Sequence, residues 1–448
     1  SSLQAGDTIT FNDGTYVLEG SLYWTGTGTE GAPIIFEPAE GATPVLQRMD
    51  GGWAVVLTDS SWVEIRGLTF EGGGLVLSGE LNTHITVEDC ILHALTGNGI
   101  RIQSNAQFLL IQHNHVYDIE DSSGIYAGCN DTSCWMQDSV IAGNQVHGIG
   151  GTYNVGIYLA NGSHSNVVRD NVIFNVPYIG LRLGSTEFSP PNVADGNAVW
   201  GVTGDAMLVD GAARVHNNLL FGVEGYGLRA SSNNREAFEN VAVTFNTIVN
   251  TLNYGIRLDG WADRRDMVLA NNVVANPTGA ALEYRWGDAT DTDNHIVGNV
   301  FTGYVGVDPT LFPDWYVAGA GTYDFVDVEG FDFYPSTSST LVDAADDSEA
   351  SLVPEVDFNG LVRPLGPPDV GAYEWRGFVN PGWPVGRGFK DPPLVAPLDE
   401  GSGGCDCLEG GEGSAAVLFV PFWLGWLGRR QKRVPLAIAE RREQEQLR

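Results

Sequence analysis

Lysine is nearly absent from this chain. Of 448 residues only Lys390 and Lys432 are lysines, so chemistry that needs a catalytic lysine is excluded from the first 389 residues. Basic residues are scarce altogether: 23 Lys and Arg stand against 56 Asp and Glu, for a formal charge of −33. Seven of the 23 lie from Arg429 onward with only three of the acids, which leaves residues 1–428 at −37. A surface this negative repels phosphate backbones and anionic lipid and suits a salty, extracellular or calcium-containing setting, so no nucleic-acid partner is expected. Cysteine is sparse too. Cys90, Cys129, Cys134, Cys405 and Cys407 are too few for a disulfide scaffold. Cys129 and Cys134 either close a small loop disulfide or stay free thiols. Helical periodicity is missing before the last thirty residues, which excludes a helical body.

What is present is apolar, glycine-rich and repetitive. Hydrophobic residues make up 43% of the chain, enough to bury a core and to exclude global disorder. Short β-branched runs broken by Gly and Asn read as strands, hence an all-β chain. Segments such as VVRDNVIFNVPYIGLRL, ARVHNNLLFGVEGYGLRA and VAVTFNTIVNTLNYGIRL share one pattern. An apolar residue is followed by Asn three later, an apolar residue two after that, then Gly with an aliphatic. The anchor recurs at Asn114, Asn144, Asn171, Asn197, Asn218, Asn246, Asn272 and Asn299, with Cys90 and Gly67 taking its place in earlier turns, about 26 residues per repeat. Such a unit cannot bury its apolar face alone and stacks on its neighbours, so a length that suggests two or three globules becomes one solenoid. The apolar columns three before the anchor (Val87 to Ile296) and two after it (Leu92 to Phe301) must face inward. The Asn column is structural: at a buried bend its amides can bond those above and below.

The repeat, with the opening LQAGDTITFNDGTYVLEG, resembles the right-handed parallel β-helix superfamily of bacterial exported proteins, which includes pectate and alginate lyases, polygalacturonases and surface proteins of no assigned activity. The implied fold is a right-handed parallel β-helix, a solenoid of roughly ten or more coils with end caps and a short hydrophobic C-terminal tail. It occupies residues 1–310, the opening segment forming the N-terminal cap. Residues 311–375 contain Asp357, Gly360, Arg363, Pro364, Gly371, Ala372, Tyr373 and Glu374. These resemble the carboxy-terminal block of bacterial surface β-helix proteins and imply a cap on the last coil. Residues 376–404 are rich in Pro and Gly and read as a linker.

Residues 405–448 carry an address. A GGCDC motif, the apolar run AAVLFVPFWLGWL and the cluster RRQKR resemble the tripartite sorting signals of bacterial surface proteins, most closely the myxobacterial type. Cys405 and Cys407 match its cysteine motif, implying contact with a membrane and with sorting machinery, and a cell-surface or outer-membrane location. The apolar run is 13 residues and contains Pro421, short for a bilayer core of about 30 Å. Export also requires a signal peptide, expected upstream of Ser1.

Alternation along a strand points the residue between paired aliphatics outward. That column reads Arg101, Tyr126, Tyr158, Arg182, Leu208, Arg229, Arg257 and Glu283. In the enzymes this chain resembles, the equivalent face often forms the substrate groove. From Arg101 to Arg257 it would span roughly 29 Å at about 4.8 Å per coil, enough for several sugars. Arg forks suit carboxylates and Tyr rings suit sugar faces, so Arg101, Tyr126, Tyr158, Arg182, Arg229 and Arg257 are the candidate substrate-binding residues for an acidic polysaccharide or cell-surface glycan. A second outward column, His93, Tyr117, His147, Phe174, Trp200 and Phe221, reads as packing beneath loops. Asp118, Glu120, Asp121 and Asp131 crowd the longest interruption, and as clustered acids they are the candidate ligands for calcium, the one cofactor in view.

The catalytic sets of the resembled enzymes are largely missing. The polygalacturonase NTD, DD, GHG and RIK set has no equivalent, the DPHE motif of alginate epimerases is absent, and a lysine-based lyase lacks its lysine. Asp205 is the nearest echo of a catalytic aspartate. Asp210 and Asp259 lie two coils apart, about 10 Å, just beyond an inverting pair. An arginine- or tyrosine-based lyase stays open, with Arg182, Arg229, Arg257, Tyr158 and Asp205 as candidates. The sequence favours a surface-anchored β-helix that binds polysaccharide. Cleavage of an acidic polysaccharide, by a lyase or glycoside hydrolase, and a purely structural envelope role are the alternatives.

Overall fold

The computed structural model describes residues 3–385, apart from 186–189, 232–237, 262–263, 286–293, 307–313, 348–350, 352, 364–365 and 383–384. Pro364, residues 386–404 of the linker and the tail with Cys405 and Cys407 lie outside the described residues. Among the described residues no helix is long and apolar enough to cross a membrane.

Three parallel sheets of 14, 13 and 12 strands run the length of the body, and each coil contributes a strand to each. The first sheet starts with Thr8–Phe11, the second with Gly14–Val17 and the third with Leu22–Trp24. The opening segment is thus the first coil itself, plugged by Phe11, Trp24 and Phe36, whose Trp24–Phe36 rings stack at 3.8 Å. This is the parallel β-helix that the repeat predicts, in the right-handed sense that parallel crossovers take. Both predicted inward columns are buried, from Val87 and Leu92 to Ile296 and Phe301. They line one continuous core.

The bend between the first and second sheets is built the same way in successive coils. The residue before the anchor is left-handed: Asp89, His113, Asp170, Asn217 and Asn271 have φ of 54–57°. The residue four after the anchor is left-handed again, at Asp118, Asn175, Asn250 and Asn276. Asp and Asn tolerate that conformation best after Gly, which explains their abundance here. Between these kinks each anchor accepts from the coil before and donates to the coil after. Asn197 Nδ2 donates to Asn218 Oδ1 and to Val168 O, both at 2.9 Å, while Asn171 N and Nδ2 donate to Asn197 Oδ1. The ladder is unbroken from Asn114 to Asn299. At its start Cys90 N donates to Asn114 Oδ1, and burial pushes the Cys90 thiol up to about 12, leaving it inert. One assignment shifts: Ile91 pairs with Thr69, so Leu68, not Gly67, stands at the anchor. A second ladder, not anticipated, runs through Ser139, Asn166 and Asn192 at the bend entering the first sheet.

Of the block expected over 311–375, only the start covers the last coil, where Trp315 and Tyr316 pack on the end of the core and Trp315 O accepts from Asn299 Nδ2; the rest of the block runs elsewhere. It lies along the outer face of the second sheet, where Phe333, Tyr334, Phe358, Val370 and Tyr373 pack on Phe174, Phe221, Val249 and Val273. The reason is the outward aromatic column, an apolar strip that needs a cover. The block docks on three successive left-handed positions. Arg363 donates to Asn217 Oδ1 and lies 4.6 Å over Phe245, and Asp346 N donates to Asn271 Oδ1. Arg363 is held by Glu374 at 2.6 Å. Gly371 (φ 93°) is needed for close approach, since a Cβ there would meet Thr247 Oγ1 and Val273 Cγ1, each at 2.8 Å. The helix also runs past residue 310, because Tyr316–Ala318 adds to the second sheet.

Two outcomes follow. Asn197→Ala orphans the Asn171 amide and the Val168 carbonyl and should lower stability by about 2–4 kcal/mol in urea unfolding. Gly371→Ala should loosen the block while sparing the coils, read as faster hydrogen exchange confined to residues 325–376.

Candidate functional site

The outward column of the third sheet is in strict register. Arg101 pairs with Tyr126, Tyr126 with Tyr158, Tyr158 with Arg182, Arg182 with Leu208, Leu208 with Arg229, Arg229 with Arg257 and Arg257 with Glu283. Register brings these side chains together, and it also satisfies them among themselves. Tyr126 and Tyr158 stack at 4.9 Å, Arg101 covers the outer face of Tyr126 at 4.0 Å, and Arg182 covers Tyr158 at 4.6 Å. Neither tyrosine therefore keeps an open ring face for a sugar, contrary to the expectation from sequence. Tyr158 is 4% exposed, and its hydroxyl donates to Asn130 Oδ1.

The arginines are likewise engaged. Arg101 is 8% exposed and bonds the carbonyls of Ile102, Tyr126 and Gly128, so it braces the turn after its strand and is withdrawn as a substrate contact. Burial lowers its pKa, against Tyr126. Arg182 meets the buried Asp210 carboxylate at 2.6 Å. Burial works against the Arg182 charge, but Asp210, with Tyr158 and Tyr178, more than offsets this and its pKa ends above the usual arginine value. Arg229 pairs with Asp205 at 2.8 Å, and Arg257 with Asp259 at 2.8 Å and Glu283 at 3.6 Å.

A cleft of about 420 Å³ opens on this face. Its walls are Tyr126, Tyr153, Tyr158, Tyr178 and Arg182, with Asn98, Ser122, Ser123, Asn130, Asn154 and Val155. Tyr178 and the exposed Tyr153 meet edge to face at 5.5 Å, and they are the aromatic surfaces that the sequence reasoning missed. The signal was present: a Tyr stands one or two residues before a Gly at the entry to a third-sheet strand in VPYIG, EGYG and LNYG. Asn130 belongs to the loop closed by a disulfide between Cys129 and Cys134, and its carbonyl accepts from Asn161 Nδ2. Amides, hydroxyls and ring edges in a cleft of this size suit the hydroxyls and apolar faces of sugars.

Farther along the face, Tyr226 lies between Arg229 and Arg257, 5.8 and 5.0 Å from their guanidinium carbons, with its hydroxyl on Arg257 Nη1. Burial pushes the adjacent Asp205 carboxyl above the usual range, against the pull of Arg229, the Tyr226 amide and Arg257.

The fold is a right-handed parallel β-helix. Residues 53–240 match the family model described as the right handed beta helix region. Among solved structures, the β-helix is similar to XylC in complex with xylose (11% identity, 84% of this chain and 94% of that chain, TM-score 0.55). It is also similar to pectate lyase Pel9A (15% identity, 84% and 89%, TM-score 0.50). The mannuronan C-5 epimerase AlgE4 A-module of Azotobacter vinelandii matches at 16% identity over 67% and 87% with a TM-score of 0.46. Identities this low speak to the fold alone. No curated protein matches the chain.

The acidic loop of the β-helix does not assemble a calcium site. Asp118 sits exposed at a left-handed strand end, Asp121 accepts from the Asn154 side chain, and Asp131 caps its own loop through Ser133. Those Ser133 hydrogen bonds lower the Asp131 pKa. Glu120 is exposed, and its carbonyl faces Gly150. Among the described residues no group of three His, Cys, Asp or Glu could hold a metal. The second outward column forms one aromatic stack, Tyr117 on His93 and His147, then Phe174, Trp200 and Phe221 at 4.3–5.4 Å.

The disulfide fixes the Asn130 wall of the cleft. Cys129→Ser with Cys134→Ser should destabilise that loop by about 2 kcal/mol through chain entropy, seen as proteolysis within residues 128–135 while the far coils stay protected.

Proposed function

We propose that this protein is an exported, surface-located β-helix that binds polysaccharide in the cleft bordered by Tyr153, Tyr178 and Arg182. The observation that carries this is the cleft itself: accessible aromatic rings at its mouth, amides and hydroxyls on its walls, and a rigid sheet beneath. A sugar ring stacks its apolar face on Tyr178 or Tyr153 while its hydroxyls bond Asn98, Ser122 and Asn154. Coils at about 4.8 Å let an extended chain follow the face beyond the cleft. The Cys405–Cys407 motif, the apolar run and the basic cluster support the surface location. Tyr178→Ala should weaken glycan binding about tenfold, the ~1.4 kcal/mol scale of one aromatic contact, in calorimetry or on a glycan array. Unchanged binding in Tyr178→Ala would remove the cleft from consideration.

One observation favours cleavage as a second function: the raised Asp205 carboxyl stands beside Tyr226 and Arg229 on the same face. A carboxylate base, a tyrosine acid and arginines holding a uronate are the parts of a β-elimination. Here the arginines already hold carboxylates of the chain, which favours binding. Incubation with uronate polymers separates the two, since elimination leaves an unsaturated product that absorbs in the ultraviolet and Asp205→Asn would abolish it.

A further inference from the structure

The arginines on the third sheet are what would recommend an acidic glycan, and each is already matched. Arg182 with Asp210, Arg229 with Asp205, Arg257 with Asp259 and Arg285 with Glu283, which also lies 3.6 Å from Arg257, set four guanidiniums against four carboxylates, while Arg101 is taken up by backbone carbonyls. The pairing is built in: Asp210 and Asp259 are 0% and 2% exposed, so their charges have no solvent to turn to and keep their arginines. A uronate could take a guanidinium only by leaving one of these carboxylates buried and uncompensated. At the cleft the described walls carry no carboxylate and one guanidinium, that of Arg182, which Asp210 neutralises. Around this balanced face the body carries a charge of −37 over residues 1–428, which repels polyanions at distances up to the ~8 Å screening length of physiological salt.

We infer that the cleft takes an uncharged glycan, a segment of neutral hexose or pentose units, and excludes uronate polymers. This rests on the binding function proposed above and names its ligand class. The arginines then serve as scaffold: they clamp Tyr158 and Tyr226 by cation–π contact and leave the carboxylates no free charge with which to attract cations.

The test is an array of neutral and uronate-containing glycans probed with the full chain, beside Tyr178→Ala and Asp210→Asn. Neutral glycans should bind with little dependence on ionic strength and lose about tenfold in Tyr178→Ala, while uronates stay at background. Asp210→Asn frees Arg182 and should create uronate binding that weakens as salt rises. If Asp210→Asn fails to fold by circular dichroism, Asp259→Asn combined with Glu283→Gln removes both carboxylates from Arg257 and tests the same account farther along the face. Uronate binding by the unaltered chain that is sensitive to Tyr178→Ala overturns the neutral-ligand inference and leaves the binding function standing. Released arginines that gain no uronate binding overturn the charge-balance account. An array blank for both classes removes the binding function and this inference with it.

Discussion

The amide ladder at the anchor is the interaction on which the rest depends. A coil turning inside a core must leave backbone groups at its corner, and no water reaches them. Asn answers with one side chain that donates and accepts, and stacking Asn on Asn satisfies each corner with the next. The arrangement works only if successive coils superpose, so the ladder also imposes register. Register then aligns every other position: inward aliphatics meet aliphatics, and outward residues form straight columns on each sheet. The cleft and the aromatic strip under the C-terminal block both follow from that alignment.

Alignment constrains what such a face can do. Rings on neighbouring coils are about 4.8 Å apart, close to their stacking distance, so like residues in a column bind one another. Tyr126 and Tyr158 hide each other's faces for this reason, and arginines above and below complete the sandwich. Residues off the column escape it. Tyr153 and Tyr178 lie before their strands and keep accessible surface. Here the sheet column floors the cleft, while the rings that keep accessible surface stand just outside it.

Periodicity in the sequence carried the fold because the physics is itself periodic. The anchors, both inward columns and the exact membership of the outward Arg/Tyr column were legible from spacing, from Asn114 to Asn299 and from Arg101 to Glu283. Gly67 was misplaced by one because early turns lack the Asn that marks the corner. What spacing could not supply was pairing within the face. Asp205, Asp210 and Asp259 read from sequence as candidate catalytic acids, and only the fold sets each beside an arginine. The position of the C-terminal block was hidden for a related reason: Arg363 and Ala372 are recognisable as parts of a motif, but they contact Asn217, Phe245 and Thr247, more than a hundred residues away.

The acidity of the chain also takes on a different meaning. Taken alone, an excess of 33 acids over bases points to a protein governed by charge at its working surface. Instead the face that carries the cleft gathers several of the few arginines, Arg182, Arg229 and Arg257 set against carboxylates and Arg101 against backbone carbonyls. Surplus negative charge lies elsewhere on the rod, as at Asp13, an exposed carboxyl near the start of the helix whose pKa is lowered by hydrogen bonds from the Thr43 amide and hydroxyl. Exposed like charges on a long rod keep such molecules apart in solution. An uncharged chain meets no such repulsion from any face, so under the neutral-ligand inference the acidity of the body discriminates only against polyanions, and the balanced strip keeps its buried arginines from undoing that discrimination.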